Sequence, residues 1–443
     1  MKPNSFENNL GLMSRAVSLE ILASVLGKKI PLDLAIINSK QITKLSTRDR
    51  SFSRLLVSTV LRRLGQIDAA IDERLTKKLS KNKSLVRNSL RLGVAQLVFL
   101  ETAPHAAINS SVQLVKNNGL SGMAGLVNAV LHKINIDGSW ALQKNPEAEQ
   151  LNTPDWLQKS WEKAYGTIIA KAIMSSHLDE PPLDFTISEH KTANEWAKRL
   201  NGILLNTGSV RRYSGGLVKE LDGYKEGAWW VQDTAASIPA KLFGDLKGQT
   251  VIDLCAAPGG KTAQLAAAGA EVIAVDISSD RLGVLKRNLN RLNLNATIIN
   301  SDVLDLGTNR LYDCILLDAP CTATGTIRRH PDITWLKKSK DMKSTMNTQS
   351  NLIRAAISML TPGGRLIYSV CSLQPEEGAT QIEKIINEFK GIVRLPITKD
   401  EIEGIKNQDP DILNAKGDIQ TLPCHYNEIG GVDGFFIARL VKL

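Results

Sequence analysis

From residue 249 onward the chain alternates short apolar runs with amphipathic ones, and most of the apolar runs end in a residue able to do chemistry. Residues 251–254 form a predicted strand that breaks into a turn, Cys255-Ala256-Ala257-Pro258-Gly259-Gly260-Lys261, followed by a predicted helix over 262–268. A second strand, 271–275, ends in Asp276. Ser278 or Ser279 then caps a helix that carries Leu282, Leu285, Leu289 and Leu292 on one stripe. A third strand, 297–299, ends near Asp302, and 314–317, 366–370 and 434–440 read as further strands. Such alternation predicts an α/β, Rossmann-like, doubly wound sheet with a crevice at the carboxyl ends of its strands.

The crevice residues suggest a ligand. Gly259-Gly260 lets the backbone approach it closely, and the helix start behind presents free N–H groups. The spacing is neither GxGxxG nor that of a phosphate-cradling P-loop. Asp276 is placed to accept from ribose hydroxyls and Asp302 to bind an adenine amine. Carboxylates at successive strand ends suit a nucleoside without phosphates, so S-adenosylmethionine fits better than NAD or ATP.

Cysteines 255, 314, 321, 371 and 424 all lie in the second half. Their odd number and wide spacing argue against a disulfide framework or a zinc site, so no metal is expected. Cys321 and Cys371 each follow a strand. If those strands are parallel neighbours they lie about 4.8 Å apart, with both thiols beside the cofactor crevice. Carbon 5 of cytosine is too weak a nucleophile to take a methyl group unaided. A thiolate added to carbon 6 makes it an enamine, which is the chemistry an activated cysteine supplies. Asp318, three residues before Cys321, is placed to meet ring N3. These residues leave open which cysteine attacks. Cys314, inside a strand, reads as packing, Cys255 as cofactor wall, and Cys424 has no role.

A chain of 443 residues predicts two or three domains. The net charge of +10 sits in residues 1–150, which hold 21 Lys/Arg against 11 Asp/Glu; the remainder holds 34 of each. Such asymmetry fits a polyanion-binding module, or a Lys-rich helical surface, attached to a neutral domain. Residues 11–135 read as helices: Phe52, Leu56, Val60 and Leu64 recur every fourth residue, Thr47 sits at a helix start, and 90–100 and 124–134 are more apolar. Residues 77–83 are basic, and 138–153 look like a linker. Beyond them Trp156 and Trp161 lie in a helix stopped by Pro181-Pro182, and 183–188 could be a strand. The expected domains are 1–140, 150–235 and 236–443. No apolar run reaches the roughly 18 residues of a membrane helix, and the start lacks a signal-peptide core, so a cytoplasmic, non-membrane protein is expected.

Residues 253–262, 318–325, 369–372 with Pro375-Glu376-Glu377, and 433–436 resemble the motifs of RNA cytosine-5 methyltransferases. Residues 327–335 and 229–233 are similar to the bacterial small-subunit ribosomal RNA methyltransferase B branch, and Arg48-Asp49-Arg50 with 104–109 resemble its NusB-like domain. The resemblance implies an all-α NusB-like RNA-binding domain, a small α+β middle domain and a catalytic domain using S-adenosylmethionine. It implies a monomer acting on 16S rRNA before the subunit is fully assembled, at carbon 5 of a cytosine (967 in the conventional count). Cys371 would be the nucleophile and Cys321 would help release the product. Cys255, Ala256, Ala257, Pro258, Gly259, Gly260, Lys261, Asp276, Asp302 and Asp318 would contact the cofactor or frame its pocket. A tRNA methyltransferase is disfavoured by the NusB-like extension, and an inactive assembly factor by the presence of both cysteines. Thr322-Ala323 departs from the usual Ser-Gly or Ser-Ala, and 185–188 lack the family's Arg and Asn. Arg328 and Arg329, after the active-site loop, are expected to hold phosphates, and the target is expected to be an unstacked loop nucleotide.

Overall fold

A computed structural model describes residues 10–138, 142–213, 215–307, 310–402 and 412–443. It divides into two compact units, Met1–Asp179 with Arg329–Lys338, and Glu180–Arg328 with Ser339–Leu443.

The first unit is helical. Ser46 caps the helix Thr47–Arg62 by accepting from the Asp49 N–H, and Leu56, Val57, Val60 and Leu61 face the core. The helix stops at Arg62, so Leu64 continues the apolar stripe only by opening the next helix, Leu64–Glu73. The apolar 90–100 stretch is the end of Ser84–Val94 running into a π-helical turn, Ala95–Phe99, and most of it is buried. Part of the expected linker is instead folded. Ala148–Leu151 is a helical turn, and the buried Asn152 accepts from the N–H groups of Gly65 (2.9 Å) and Gln66 (3.2 Å). These are orphan donors at a helix start, so one side chain both anchors the segment and caps the helix. The helix Asp155–Ser176, broken at Gly166 (φ 80°), belongs to this unit rather than with the strands that follow it. Trp335 packs into the same core and donates from Nε1 to the Leu61 carbonyl at 2.7 Å. The 327–335 motif is thus divided, with Arg329 onward in the helical unit.

The second unit holds two sheets. The smaller comprises β1 (Leu183–Ile187), β2 (Ile203–Leu204), β3 (Val210–Arg212) and β4 (Trp229–Val231), in the order β2-β3-β1-β4. Arg211 and Asp184 are fully buried in it as a bidentate pair, with both bonds at 2.7 Å. The larger sheet comprises β5 (Thr250–Leu254), β6 (Glu271–Asp276), β7 (Thr297–Asn300), β8 (Tyr312–Asp318), β9 (Leu360–Val370), β10 (Ile392–Arg394), β11 (Ile419–Gln420) and β12 (Phe436–Lys442). Its order is β10-β12-β9-β8-β5-β6-β7, with β11 on β12. Strands β5 to β9 pair in parallel, whereas β12 pairs antiparallel with β9, and β10 and β11 pair antiparallel with β12, closing one side. The chain steps outward from β5 through β6 to β7, then returns to β8 on the other flank of β5. That reversal opens a crevice at the carboxyl ends of β5 and β8.

Candidate active site

One wall of the crevice is the turn after β5. Cys255 adopts φ 62° and Gly259 φ 102°, and the helix Gly260–Ala267 starts immediately after. Only glycine fits at 259: a Cβ there would lie 2.8 Å from Leu285 Cγ, in a backbone region that L-residues avoid. Burial pushes the Cys255 thiol up to about 12, which leaves it an inert wall residue. Asp276 holds the turn in place, its Oδ2 accepting from the Ala257 N–H (3.0 Å) and its Oδ1 from the Ser278 N–H (2.9 Å). Asp302 is half-buried, and its Oδ1 caps its own loop by accepting from Leu304 N–H at 3.0 Å. Ile277 and Leu304, each just beyond one of these acids, are 69% and 51% exposed.

The opposite wall carries the thiols. β8 and β9 are parallel neighbours, with Asp318 opposite Ser369. Two and three residues later on each side come Cys371 and Cys321, whose Sγ atoms lie 3.4 Å apart. Both cysteines are half-buried. The hydrogen bond to Cys371, then burial, pushes the Cys321 thiol well above its ordinary range. Asp318 is gripped from both sides: Lys261 Nζ donates to Oδ2 at 2.7 Å and Ser369 Oγ to Oδ1 at 2.8 Å. As it stands, the carboxylate is therefore an acceptor. Lys261 also lies 5.1 Å from the Phe435 ring centre. The turn residue Lys261 and the strand-end acid Asp318 thus join the two walls. Beneath them Asp253 is fully buried; its Oδ2 accepts from Thr262 Oγ1 at 2.7 Å, while Oδ1 has no partner among the described residues. Burial pushes its carboxyl up to about 7.

One residue falls differently from expectation. Arg328 is 2% exposed, pairs with Asp433 at 3.1 Å and donates to the Gly430 carbonyl at 2.8 Å. It braces loops of the second unit and has no face to offer a phosphate. Arg329 is half-buried within the first unit. Glu377, which the sequence offered only as part of a motif, is fully buried under the cysteine loops. Cys314 is buried in β8 and Cys424 lies in a loop, both away from the paired thiols.

Residues 242–441 match the family model for 16S rRNA methyltransferase RsmB/F, and residues 13–135 match that of the NusB family. A probable ribosomal RNA small subunit methyltransferase B from Synechocystis is 31% identical over 97% of this chain and 100% of the relative. A ribosomal RNA small subunit methyltransferase B from Cronobacter sakazakii is 32% identical over 90% of this chain and 92% of the relative. The chain belongs to the RsmB/F family of 16S rRNA methyltransferases. Its cofactor is S-adenosylmethionine. Among solved structures, a methyltransferase homologue from Pyrococcus horikoshii is 28% identical with a TM-score of 0.53, over 64% of this chain and 94% of that one. The crystal structure of PH0851 shares the fold across 97% of this chain and 99% of its own, at 23% identity and a TM-score of 0.76.

Proposed function

We propose that this methyltransferase acts on carbon 5 of a cytosine in 16S rRNA, by family resemblance cytosine 967, through a transient bond between Cys371 Sγ and carbon 6. The observation that carries this reading is the pair of thiols 3.4 Å apart, at the ends of parallel neighbours and beside the cofactor turn. Methylation at a base nitrogen or a ribose oxygen has no use for two such thiols. The Cys371 thiolate adds to carbon 6 and the displaced π electrons make carbon 5 nucleophilic. When bound, S-adenosylmethionine supplies the electrophilic methyl group through its sulfonium. A base then takes the carbon-5 proton, the double bond re-forms, and Sγ leaves carbon 6. Cys321, within reach of Cys371, assists that release. Asp318 accepts from the cytosine amino group, and Lys261 beside it offers the donor that N3 can use. Lys261 and the turn 255–260, with Asp276, Asp302 and Asp318, frame the cofactor pocket. The helical residues 1–140 and the small middle region contribute RNA contacts.

The test is to incubate the protein with S-adenosylmethionine and undermethylated 16S RNA, then map the product by bisulfite sequencing. A new protected cytosine at a single position is expected. Methyl transfer without a protected cytosine would place the reaction at another atom and sink the proposal.

A further inference from the structure

Chemistry at two adjacent thiols requires that one ionise and the other keep its proton, and the fold holds a device that can choose. The Glu377 carboxylate, fully buried, accepts from the residue after each cysteine: from Thr322 N–H at 2.9 Å and Ser372 Oγ at 2.6 Å. Thr322 Oγ1 donates a further bond, and Gln349 Nε2, at 3.2 Å, also reaches the carbonyl of Pro320, the residue before Cys321, at 2.9 Å. All four donors are neutral, and among the described residues no cation pairs with this carboxylate. No opposite charge therefore offsets it, in surroundings of low polarity. Two of the four donors come from Thr322, the residue after Cys321, and one from Ser372, the residue after Cys371.

We propose that Glu377 is a positioning residue that decides which thiol attacks: it locks the two cysteine loops together and keeps the proton on Cys321, leaving Cys371 as the sulfur that ionises. The remaining Cys321 proton then points along the 3.4 Å line to Cys371 Sγ. The titratable groups that act on Cys321 are Cys371 and Tyr368, from β9 and the loop after it, and Glu377. Glu377 is among the charges that push Cys321 upward, after the Cys371 hydrogen bond and burial.

The inference rests on Cys371 being the nucleophile. Its test reads the thiols directly, in the full chain without RNA or cofactor. Initial rates of iodoacetamide alkylation are followed against pH, with mass spectrometry of the two cysteine peptides. Cys371 should react at the lower pH, with Cys321 lagging by about one unit or more, a tenfold difference in proton affinity. Glu377→Gln keeps the shape and removes the charge, and should bring the Cys321 profile down by about a unit, with kcat reduced and KM for RNA unchanged. Glu377→Asp should preserve the order. Coincident profiles or Cys321 reacting first in the unmodified protein would overturn the proposal, as would a folded Glu377→Gln variant with an unmoved Cys321 profile. If Glu377→Gln does not fold, the order in the unmodified protein still decides. Turnover by Cys371→Ala would instead sink the nucleophile assignment; an inactive Cys371→Ala with a reversed alkylation order would sink the Glu377 role alone.

Discussion

At the residue scale, the candidate site is a set of polar groups whose states are fixed by what surrounds them. Asp253 is the plainest case, because its carboxyl is raised from 3.8 to about 7 by burial. The folded protein binds that proton more tightly than the unfolded chain does. The associated stability is therefore complete below the unfolded value of 3.8 and lost as pH rises through about 7. Each tenfold change in proton affinity is worth about 1.4 kcal/mol. Asp253→Asn should accordingly flatten the pH dependence: its melting temperature, measured against that of the parent, should rise by a few degrees between about pH 4 and about pH 7. A parallel pair of melting curves across that range would contradict the burial argument. The strand-end acids and both thiols were legible in the sequence because each follows an apolar run. Glu377 and the fate of Arg328 were not. Their partners lie far along the chain, 55 residues between Thr322 and Glu377 and 102 between Arg328 and Gly430. A charge in a loop reads as solvated until the loop that buries it is known.

At the element scale, the pairing of β8 with β9 brings the chemistry together. A slip of one residue would turn Asp318 and Ser369 to opposite faces and separate the thiols. The register is reinforced beyond the strands, where Gly325 N–H donates to the Cys371 carbonyl at 3.0 Å and Gly434 N–H to the Gly325 carbonyl at 2.8 Å. No side chain fits there: a Cβ on Gly325 would lie 1.9 Å from the Gly434 oxygen. Gly325→Ala should destabilise the second unit by about 1–3 kcal/mol, or force the cysteine loops apart. Thermal unfolding and methyl-transfer assays of that variant check this, and unchanged values of both would contradict it. Strand positions were readable from apolar runs, and one helix start from Ser278, which does cap its helix; the start read at Thr47 is capped by the residue before it, Ser46. The antiparallel closure by β10 and β12 and the anchoring of Asn152 were not, since neither depends on local pattern.

At the scale of the whole molecule, two family modules make up most of the chain, and the excess positive charge lies with the helical one. Several of that unit's acids are already engaged, Asp68 and Asp72 by Arg87 and Asp68 by Arg91, while Lys77, Lys78 and Lys81 are exposed. Reversing these three lysines to glutamate should weaken RNA binding and lower the slope of log Kd against log salt by about 2 or more. The thiol chemistry should be untouched. Binding titrations at several salt concentrations decide this, and an unchanged slope would remove the segment from the RNA interface. The complete enzyme with its RNA also offers the most direct test of the central claim, the division of roles between the two thiols. Cys321→Ala, incubated with S-adenosylmethionine and undermethylated 16S RNA, should accumulate a covalent protein–RNA adduct, and digestion with mass spectrometry should place the bond on Cys371. Cys371→Ala should form no adduct and no product; turnover by Cys371→Ala, or an adduct mapped to any other residue, would contradict the assignment.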